Sequence, residues 1–174
     1  MTIESPAFKS GGTIPNRFTC FGDNRSPPLV FRDVPPGAQS LTLMMDQLHT
    51  PRDVVTLWVL FNINSDVGEI EEGAVAPPGA HPGRNHWGQI GYHGPSHEGE
   101  HVYFFRLFAL DCKLYLPDGA DGARVLDAMG GHIPAKAEMW GRYDPPTEPV
   151  LPAVADSDSA AASDEQRRSP KDTP

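Results

Sequence analysis

Histidines are the first residues in this sequence that could carry chemistry, because most of them fall in one stretch. Five of the seven lie between residues 81 and 101. The group comprises His81, His86, His93, His97 and His101, and the other two are His49 and His132. Neutral imidazole is a common ligand of zinc and copper, so this density raises a metal-binding protein or a metal-dependent hydrolase as one hypothesis. No HExxH or HxH spacing supports it, and no cysteine lies in the stretch. We therefore expect solvated loop histidines and no metal site, with histidine-bound metal as the alternative.

Nucleophilic catalysis is a weaker hypothesis. Ser5, Ser26, Ser96 and Cys20 could each act beside a histidine, but the sequence contains no GxSxG turn. The two cysteines, Cys20 and Cys112, are too few for a disulfide framework, and we expect reduced, buried thiols. We expect no catalytic residues, no cofactor and no enzymatic activity.

A pocket for a small anion is the third hypothesis. Asp46 ends one apolar run, while His101 and Tyr103 open another. Residues two apart in a strand point to the same face, so His101 and Tyr103 should lie side by side. Both can donate hydrogen bonds to a phosphate-like group, and Asp46 can accept one or orient the imidazole. From the residues alone, Tyr103 also fits a core position with a satisfied hydroxyl.

The elements that must position these residues are mainly strands. The chain has 17 Gly and 19 Pro spread along its body, which excludes long helices over most of it. Three apolar runs predict central strands of a two-layer β core: Gln39–Asp46, Leu57–Ile63 and His101–Leu110. A last strand is predicted over Ala135–Tyr143.

One helix and one long loop complete the predicted pattern. Asp118 or Asp121 can cap a helix that stops at Gly130-Gly131, and its apolar face should contain Val125, Leu126 and Met129. The segment from Glu71 to Glu100 is rich in Gly, Pro and His. A loop this long in a compact domain is usually functional or disordered, and its aromatic residues Trp87 and Tyr92 favour order.

Charge and length restrict the class of protein. The 174 residues include 14 Lys and Arg against 23 Asp and Glu, a formal net charge of -9. Nucleic acid or an anionic membrane surface is therefore not an expected partner, because neutralising phosphates needs a basic face. No apolar run reaches the about 20 residues of a membrane span, and the N-terminus lacks the pattern of a signal peptide. We expect a cytoplasmic protein without integral membrane contact.

The domain organisation follows from a change in composition. Residues from Val150 to Pro174 contain no aromatic residue and consist largely of Ala, Ser, Asp and Pro. Such a segment cannot bury enough apolar surface to fold, so we predict a disordered acidic tail. The folded domain should then span residues 1–149.

Several motifs, in order along residues 3 to 143, resemble the phosphatidylethanolamine-binding protein family, specifically its bacterial and archaeal Raf-kinase-inhibitor-like branch. They are IESPAFKSGGTIPNRFTCFGDNRSPPL, VPPGAQSLTLMMD, LWVLFNI, NHWGQIGYHGP, HVYFFRLFALDCKL and GHIPAKAEMWGRY. The resemblance implies a mostly β fold, a β-sandwich with a central antiparallel sheet and a few short helices. It also implies a small pocket near strand ends that binds phosphate-bearing groups.

The resemblance also assigns pocket residues. The first aspartate of the family's DPDAP-type motif corresponds to Asp46, and its histidine and tyrosine correspond to His101 and Tyr103. Its GPxPP loop corresponds to Gly94 and Pro95.

Departures from the family pattern change the polarity of this pocket. Leu48 stands where the second aspartate is expected, and Leu57 stands where the family has a histidine. A leucine cannot donate to a phosphate oxygen, and loss of one charge-assisted hydrogen bond costs about 1.5–3 kcal/mol. Val102 replaces an arginine, and a GPSHE loop replaces GPxPP. The pocket rim would gain three histidines, His49, His86 and His97.

Three functions remain open at this stage. The leading one is a non-enzymatic protein that binds a small anion or phosphorylated group through a degenerate pocket, or regulates a kinase or peptidase partner, as the resemblance implies. The second is the metal-binding protein or hydrolase based on the loop histidines. The third is a structural or homodimerising module whose pocket is no longer used.

Overall fold

The computed structural model describes residues 1–50, 53–96 and 99–145, and most of the regular structure in them is β-strand. In chain order the elements are β1 (Thr2–Glu4), a 3-10 helix (Asn16–Phe18), β2 (Leu29–Arg32), β3 (Ser40–Thr50), β4 (Asp53–Ile63), β5 (Glu69–Ile70), β6 (His81–Pro82), β7 (His101–Leu110), α1 (Gly122–Ala128) and β8 (Ala135–Tyr143). The predicted mostly β fold class is confirmed.

The strands pair into two antiparallel sheets that pack against each other. The larger sheet has the order β6-β4-β3-β7-β8, and the smaller one has the order β1-β2-β5. Between them lies the main core, which joins Ile3, Phe31 and Ile70 of the smaller sheet to Met45 and Phe105 of the larger one. The structure is therefore a two-layer β-sandwich, as predicted, and its larger antiparallel sheet is the central layer of the molecule.

Helix α1 covers part of the other face of the large sheet. Val125 and Met129, one helical turn apart, are fully buried in a second cluster with Met44 and Val59. The helix begins after Asp121, whose Oδ1 accepts a hydrogen bond of 2.9 Å from the backbone N–H of Arg124. The predicted cap is thus Asp121 and not Asp118.

The prediction for the apolar face of this helix was partly wrong. Leu126 is 41% exposed, although Val125 and Met129 are buried. Residues at i and i+4 lie on one face of a helix, whereas the next residue along the chain is rotated by about 100°. Leu126 therefore turns from the sheet towards solvent.

Two central strands are longer than the sequence suggested. β3 runs to Thr50 and does not end at Asp46, and β4 begins at Asp53 and not at Leu57. A carboxylate usually marks the end of an apolar strand, but Thr56 and Arg106 bind Asp46 inside the sheet, so pairing continues beyond it. The strands β7 and β8 have the predicted bounds.

Three further expectations concern the cysteines, membrane-spanning segments and the C-terminal tail. Both cysteines are free, but Cys20 is exposed and Cys112 is only half-buried, so the prediction of two buried thiols was wrong. Phe18, and not Cys20 two residues later, fills the core beside the 3-10 helix. In the described part of the chain no helix has the length and apolarity to cross a membrane. The tail predicted from Val150 lies outside the described residues.

Trp58 and Phe105 test the core directly, since both side chains are fully buried. Replacing either with Ala should lower the free energy of unfolding by about 3–5 kcal/mol, because a large cavity remains. Urea unfolding followed by circular dichroism measures the loss. Tyr115→Ala, at a fully exposed side chain, is the control and should stay within about 0.5 kcal/mol of wild type. Losses below about 1 kcal/mol at both buried positions would contradict their place in the core.

Candidate functional site

The pairing of β3 with β7 decides which side chains meet at the predicted pocket. Gln47 lies opposite Tyr103, and Asp46 lies opposite Phe104. Because successive side chains of a strand point to opposite faces, Gln47 and Tyr103 share one face of the sheet and Asp46 lies on the other. The structure therefore does not bring Asp46 together with His101 and Tyr103.

Asp46 has its own polar environment on the face that α1 partly covers. Its side chain is fully buried, its Oδ1 accepts a 2.6 Å hydrogen bond from Oγ1 of Thr56, and its Oδ2 binds the Arg106 guanidinium at 2.5 Å. Burial raises the pKa of this carboxyl above its ordinary value, although Arg106 and Thr56 act in the opposite direction. The expectation that Asp46 closes a strand beside the pocket was wrong, because the charge is neutralised within the sheet.

Tyr103 and His101 lie on the other face of the large sheet, at the start of β7. Tyr103 is fully buried, and within the described chain its hydroxyl has no hydrogen-bond partner. Burial raises the pKa of this phenol, with smaller contributions from the nearby Cys20 and Tyr143. The hydroxyl is therefore a hydrogen-bond donor at neutral pH. His101 is half-buried two residues earlier in the same strand, on the same face as predicted.

Leu57 lies in the same core at an irregularity in β4. Met45 pairs with Trp58 and Asp46 pairs with Thr56, so Leu57 is an extra residue between two regular pairs, as in a β-bulge. Leu57 and Trp58 are both fully buried in the cluster that contains Tyr103. The indole N–H of Trp58 is a second buried donor for which the described chain offers no acceptor.

The Gly94-Pro95 loop is held close to the 3-10 helix by backbone contacts. The Gly94 N–H donates to Oδ1 of Asn24 at 2.8 Å, and the Cys20 N–H donates to the Pro95 carbonyl at 3.1 Å. A Cβ at position 94 would lie 2.4 Å from the Phe18 carbonyl oxygen, so only glycine fits there. The loop thereby places Cys20 near Tyr103, as their electrostatic interaction shows.

Of the three predicted rim histidines, only His86 has a side chain that the structure describes. His86 lines a depression of about 180 Å³ together with Thr56 and Asp121, on the face that carries Asp46. It therefore lies away from the Tyr103 face, contrary to the prediction. His49 is described only as part of β3, and His97 lies outside the described residues.

Two other loop histidines, His81 and His93, each have a separate partner. Nδ1 of His81 lies 2.7 Å from Oδ1 of Asp118, and the ring of His93 stacks on Trp87 at 4.0 Å. Across the described ranges, one group of three or more His, Cys, Asp or Glu side chains has ligand atoms within 4.8 Å of one another. It consists of Asp111, Cys112 and His132, and it includes none of the loop histidines between residues 81 and 101.

Sequence reasoning did not place Gln47 or Cys20 near Tyr103, and it considered Cys20 only as a candidate nucleophile or a buried thiol. Gln47 directly follows Asp46, so only the pairing with β7 shows that it, and not the aspartate, shares the face of Tyr103. Cys20 is remote in sequence and reaches this region through the contact with Pro95. No local pattern signals either residue.

The fold and this side-chain cluster define a β-sandwich protein with buried hydrogen-bond donors at one end of its central sheet. A sequence model of the phosphatidylethanolamine-binding protein family matches residues 4–144. A UPF0098 protein from Methanothermobacter thermautotrophicus is 44% identical over 148 residues, which cover 82% of this chain and 98% of the relative. The chain belongs to the phosphatidylethanolamine-binding protein family.

Two solved structures show the same fold. One is CT736 from Chlamydia trachomatis, described as a homologue of phosphatidylethanolamine-binding protein, with a TM-score of 0.78 and 36% identity over 83% of this chain and 97% of that one. The other is YbcL from E. coli, with a TM-score of 0.76 and 26% identity over 83% of this chain and 98% of that one. Both matches support the two-sheet architecture.

The raised pKa of Asp46 predicts a pH dependence of stability. A raised folded-state pKa means that the folded protein holds the Asp46 proton more tightly than the unfolded chain does. The resulting stabilisation is present below the ordinary Asp pKa of about 4 and is lost as pH rises through the folded-state pKa. Over this pH range, the free energy of unfolding of wild type should therefore fall relative to that of Asp46→Asn. Urea unfolding at a series of pH values measures the difference.

An exposed aspartate supplies the control for that series. Asp127 lies in α1 with an exposed side chain, so Asp127→Asn measures the effect of replacing an aspartate outside the buried Asp46–Arg106 pair. If the difference between wild type and Asp46→Asn instead favoured wild type as pH rises, attraction by Arg106 would outweigh burial, and the stated direction would be wrong.

Proposed function

We propose that this protein is a non-enzymatic binding protein that holds a small anion or phosphoryl group at the start of β7. The observation that carries the proposal is the Tyr103 hydroxyl, a fully buried donor without a partner in the described chain. A buried donor left unsatisfied costs about 1–3 kcal/mol, so an acceptor bound beside it is stabilising. An anion oxygen supplies such an acceptor.

The neighbours of Tyr103 support a ligand rich in acceptors. His101 shares its face and is half-buried, so it can donate to a ligand that also reaches solvent. The Trp58 N–H is a further buried donor on the same side of the sheet. Several donors on one face favour a ligand with several acceptor oxygens, such as a phosphoryl group.

The placement of Asp46 also supports an anion. Its carboxylate lies on the opposite face and pairs with Arg106, so its charge does not repel a ligand beside Tyr103. Gln47 occupies the corresponding place on the Tyr103 face and carries no charge. The Tyr103 face therefore has an uncharged amide where a carboxylate would repel an anion.

Binding is favoured over catalysis by the state of the phenol. Burial raises the pKa of Tyr103, so the hydroxyl stays protonated at neutral pH and does not act as a general base. Leu57 presents an apolar side chain to the same cluster and supplies neither a proton acceptor nor a donor. These groups can orient a ligand but supply little acid–base chemistry.

Tyr103→Phe tests the proposal because it removes one oxygen and keeps the packing. Calorimetric titration with inorganic phosphate, phosphorylethanolamine and a mononucleotide identifies which probe wild type binds. Loss of a hydrogen bond to a charged group is worth about 1.5–3 kcal/mol, so Tyr103→Phe should weaken that probe by about 10-fold to 150-fold. Tyr115→Phe, at a fully exposed position, should bind like wild type.

Two further variants separate a working pocket from a lost one. His101→Ala should weaken binding while sparing the fold, because the side chain is only half-buried. Leu57→His should add a donor and strengthen binding of the same probe. Equal affinity in wild type and Tyr103→Phe would place binding elsewhere. Binding by Leu57→His alone would show that the natural pocket has lost this role.

A further inference from the structure

Asp111, Cys112 and His132 come together at the end of β7 that is remote from Tyr103. β7 begins at His101 and ends at Leu110, so Asp111 and Cys112 directly follow its last residue. His132 follows α1 and precedes β8, which pairs with β7. Two segments that are 20 residues apart in sequence thus meet beside one strand end.

Backbone hydrogen bonds fix these two segments relative to each other. The Asp111 N–H donates to the His132 carbonyl at 3.2 Å, and the His132 N–H donates to the Met129 carbonyl at 2.9 Å. Gly131 adopts φ of 81°, the left-handed conformation that turns the chain back after the helix. The positions of both ligand-bearing segments are therefore set by the fold.

Cys112 is anchored from a third element. The Ser40 hydroxyl at the start of β3 donates to the Cys112 carbonyl at 2.5 Å. Ser40 is fully buried, so this contact belongs to the packed interior and not to a mobile surface. The thiol thus extends from a fixed backbone position.

We propose that Asp111, Cys112 and His132 form a zinc-binding site. Their ligand atoms all lie within 4.8 Å of one another. The Asp111 and His132 side chains are 56% and 49% exposed, so an ion can reach them from solvent. Carboxylate, thiolate and imidazole are the three side-chain ligand types of zinc in proteins.

The distances are close to those that zinc requires. Bonds of about 2.0–2.3 Å in a tetrahedron separate neighbouring ligand atoms by roughly 3.3–3.7 Å. Nδ1 of His132 lies 2.8 Å from Oδ1 of Asp111, so that pair would open slightly. The other separations would close by at most about 1.5 Å, which rotation of exposed side chains can supply.

Zinc binding changes the protonation of its ligands. The Cys112 thiol releases its proton to solvent and forms a zinc–sulfur bond, while His132 binds through a neutral ring nitrogen. The Nδ1–H of His132 that donates to Asp111 gives its proton to solvent while Nε2 takes one up, so the ring stays neutral and Nδ1 is freed for a zinc–nitrogen bond. The Asp111 carboxylate then forms a zinc–oxygen bond, and water completes the tetrahedron. The thiolate favours zinc over magnesium or calcium, which prefer oxygen ligands.

The chain contains a matched comparison for this site. His81 and Asp118 form a similar pair, with Nδ1 of His81 2.7 Å from Oδ1 of Asp118, but no cysteine of the described residues joins it within 4.8 Å. If the thiolate creates the zinc site, the His81 pair should bind the ion much more weakly.

Cobalt and zinc titrations of the full, tag-free, reduced and metal-stripped protein test the proposal. Cobalt bound by Cys112 should give the near-ultraviolet thiolate-to-metal charge-transfer band, and one equivalent of zinc should abolish it. Zinc affinity is measured by competition with a chromogenic chelator. Cys112→Ser and His132→Ala should each weaken it at least about 100-fold, since even changing outer-shell partners costs 10-fold to 100-fold.

Cys20→Ser and His81→Ala are the controls and should retain the band and the zinc affinity of wild type. Zinc should also protect Cys112 from alkylation while leaving the exposed Cys20 reactive. Circular dichroism of each variant establishes that it is folded before titration. Absence of the cobalt band in wild type, or equal affinity in folded Cys112→Ser, would overturn the proposal. Loss of zinc in His81→Ala alone would place the ion with the loop histidines and would also overturn it.

Discussion

The register between β3 and β7 is the constraint on which the rest of the molecule depends. It places Gln47 against Tyr103 and Asp46 against Phe104, and a shift of one residue would exchange the two faces along the whole strand. Such a shift would direct Asp46 into the apolar layer between the sheets and remove it from Arg106. Burial of a carboxylate without its partner is strongly unfavourable, so the ion pair and the core specify the same register.

The two faces of the large sheet treat buried polar groups differently. On the face next to α1, Asp46 is satisfied by Thr56 and Arg106 within the sheet, which makes it part of the framework. On the face between the sheets, Tyr103 and Trp58 bring buried donors that the described chain leaves without acceptors. The α1 face also holds buried atoms without a partner in the described chain, Thr42 Oγ1 and Arg106 Nε, but there Arg106 is held in an ion pair with Asp46, whereas Tyr103 shares its face with the half-buried His101.

The two sites proposed for this protein lie at opposite ends of β7. His101 and Tyr103 lie at its first residues, whereas Asp111 and Cys112 follow its last one. The strand is paired on both sides along most of its length, by β3 and by β8. A rigid central strand therefore holds a ligand region at one end and metal-ligand side chains at the other, each with partners from a different loop.

Local pattern in the sequence determined the fold class, the bounds of β7 and β8, and the shared face of His101 and Tyr103, because strand alternation and capping act over a few residues. The family resemblance was readable from ordered motifs and is confirmed. Only the tertiary structure decided that Asp46 lies on the face opposite Tyr103, since that follows from pairing with β7 and from a charge 60 positions away on Arg106. The meeting of Cys112 with His132, and of Cys20 with Pro95, likewise depends on backbone contacts between distant segments. Such contacts leave no spacing in the sequence by which they could be recognised.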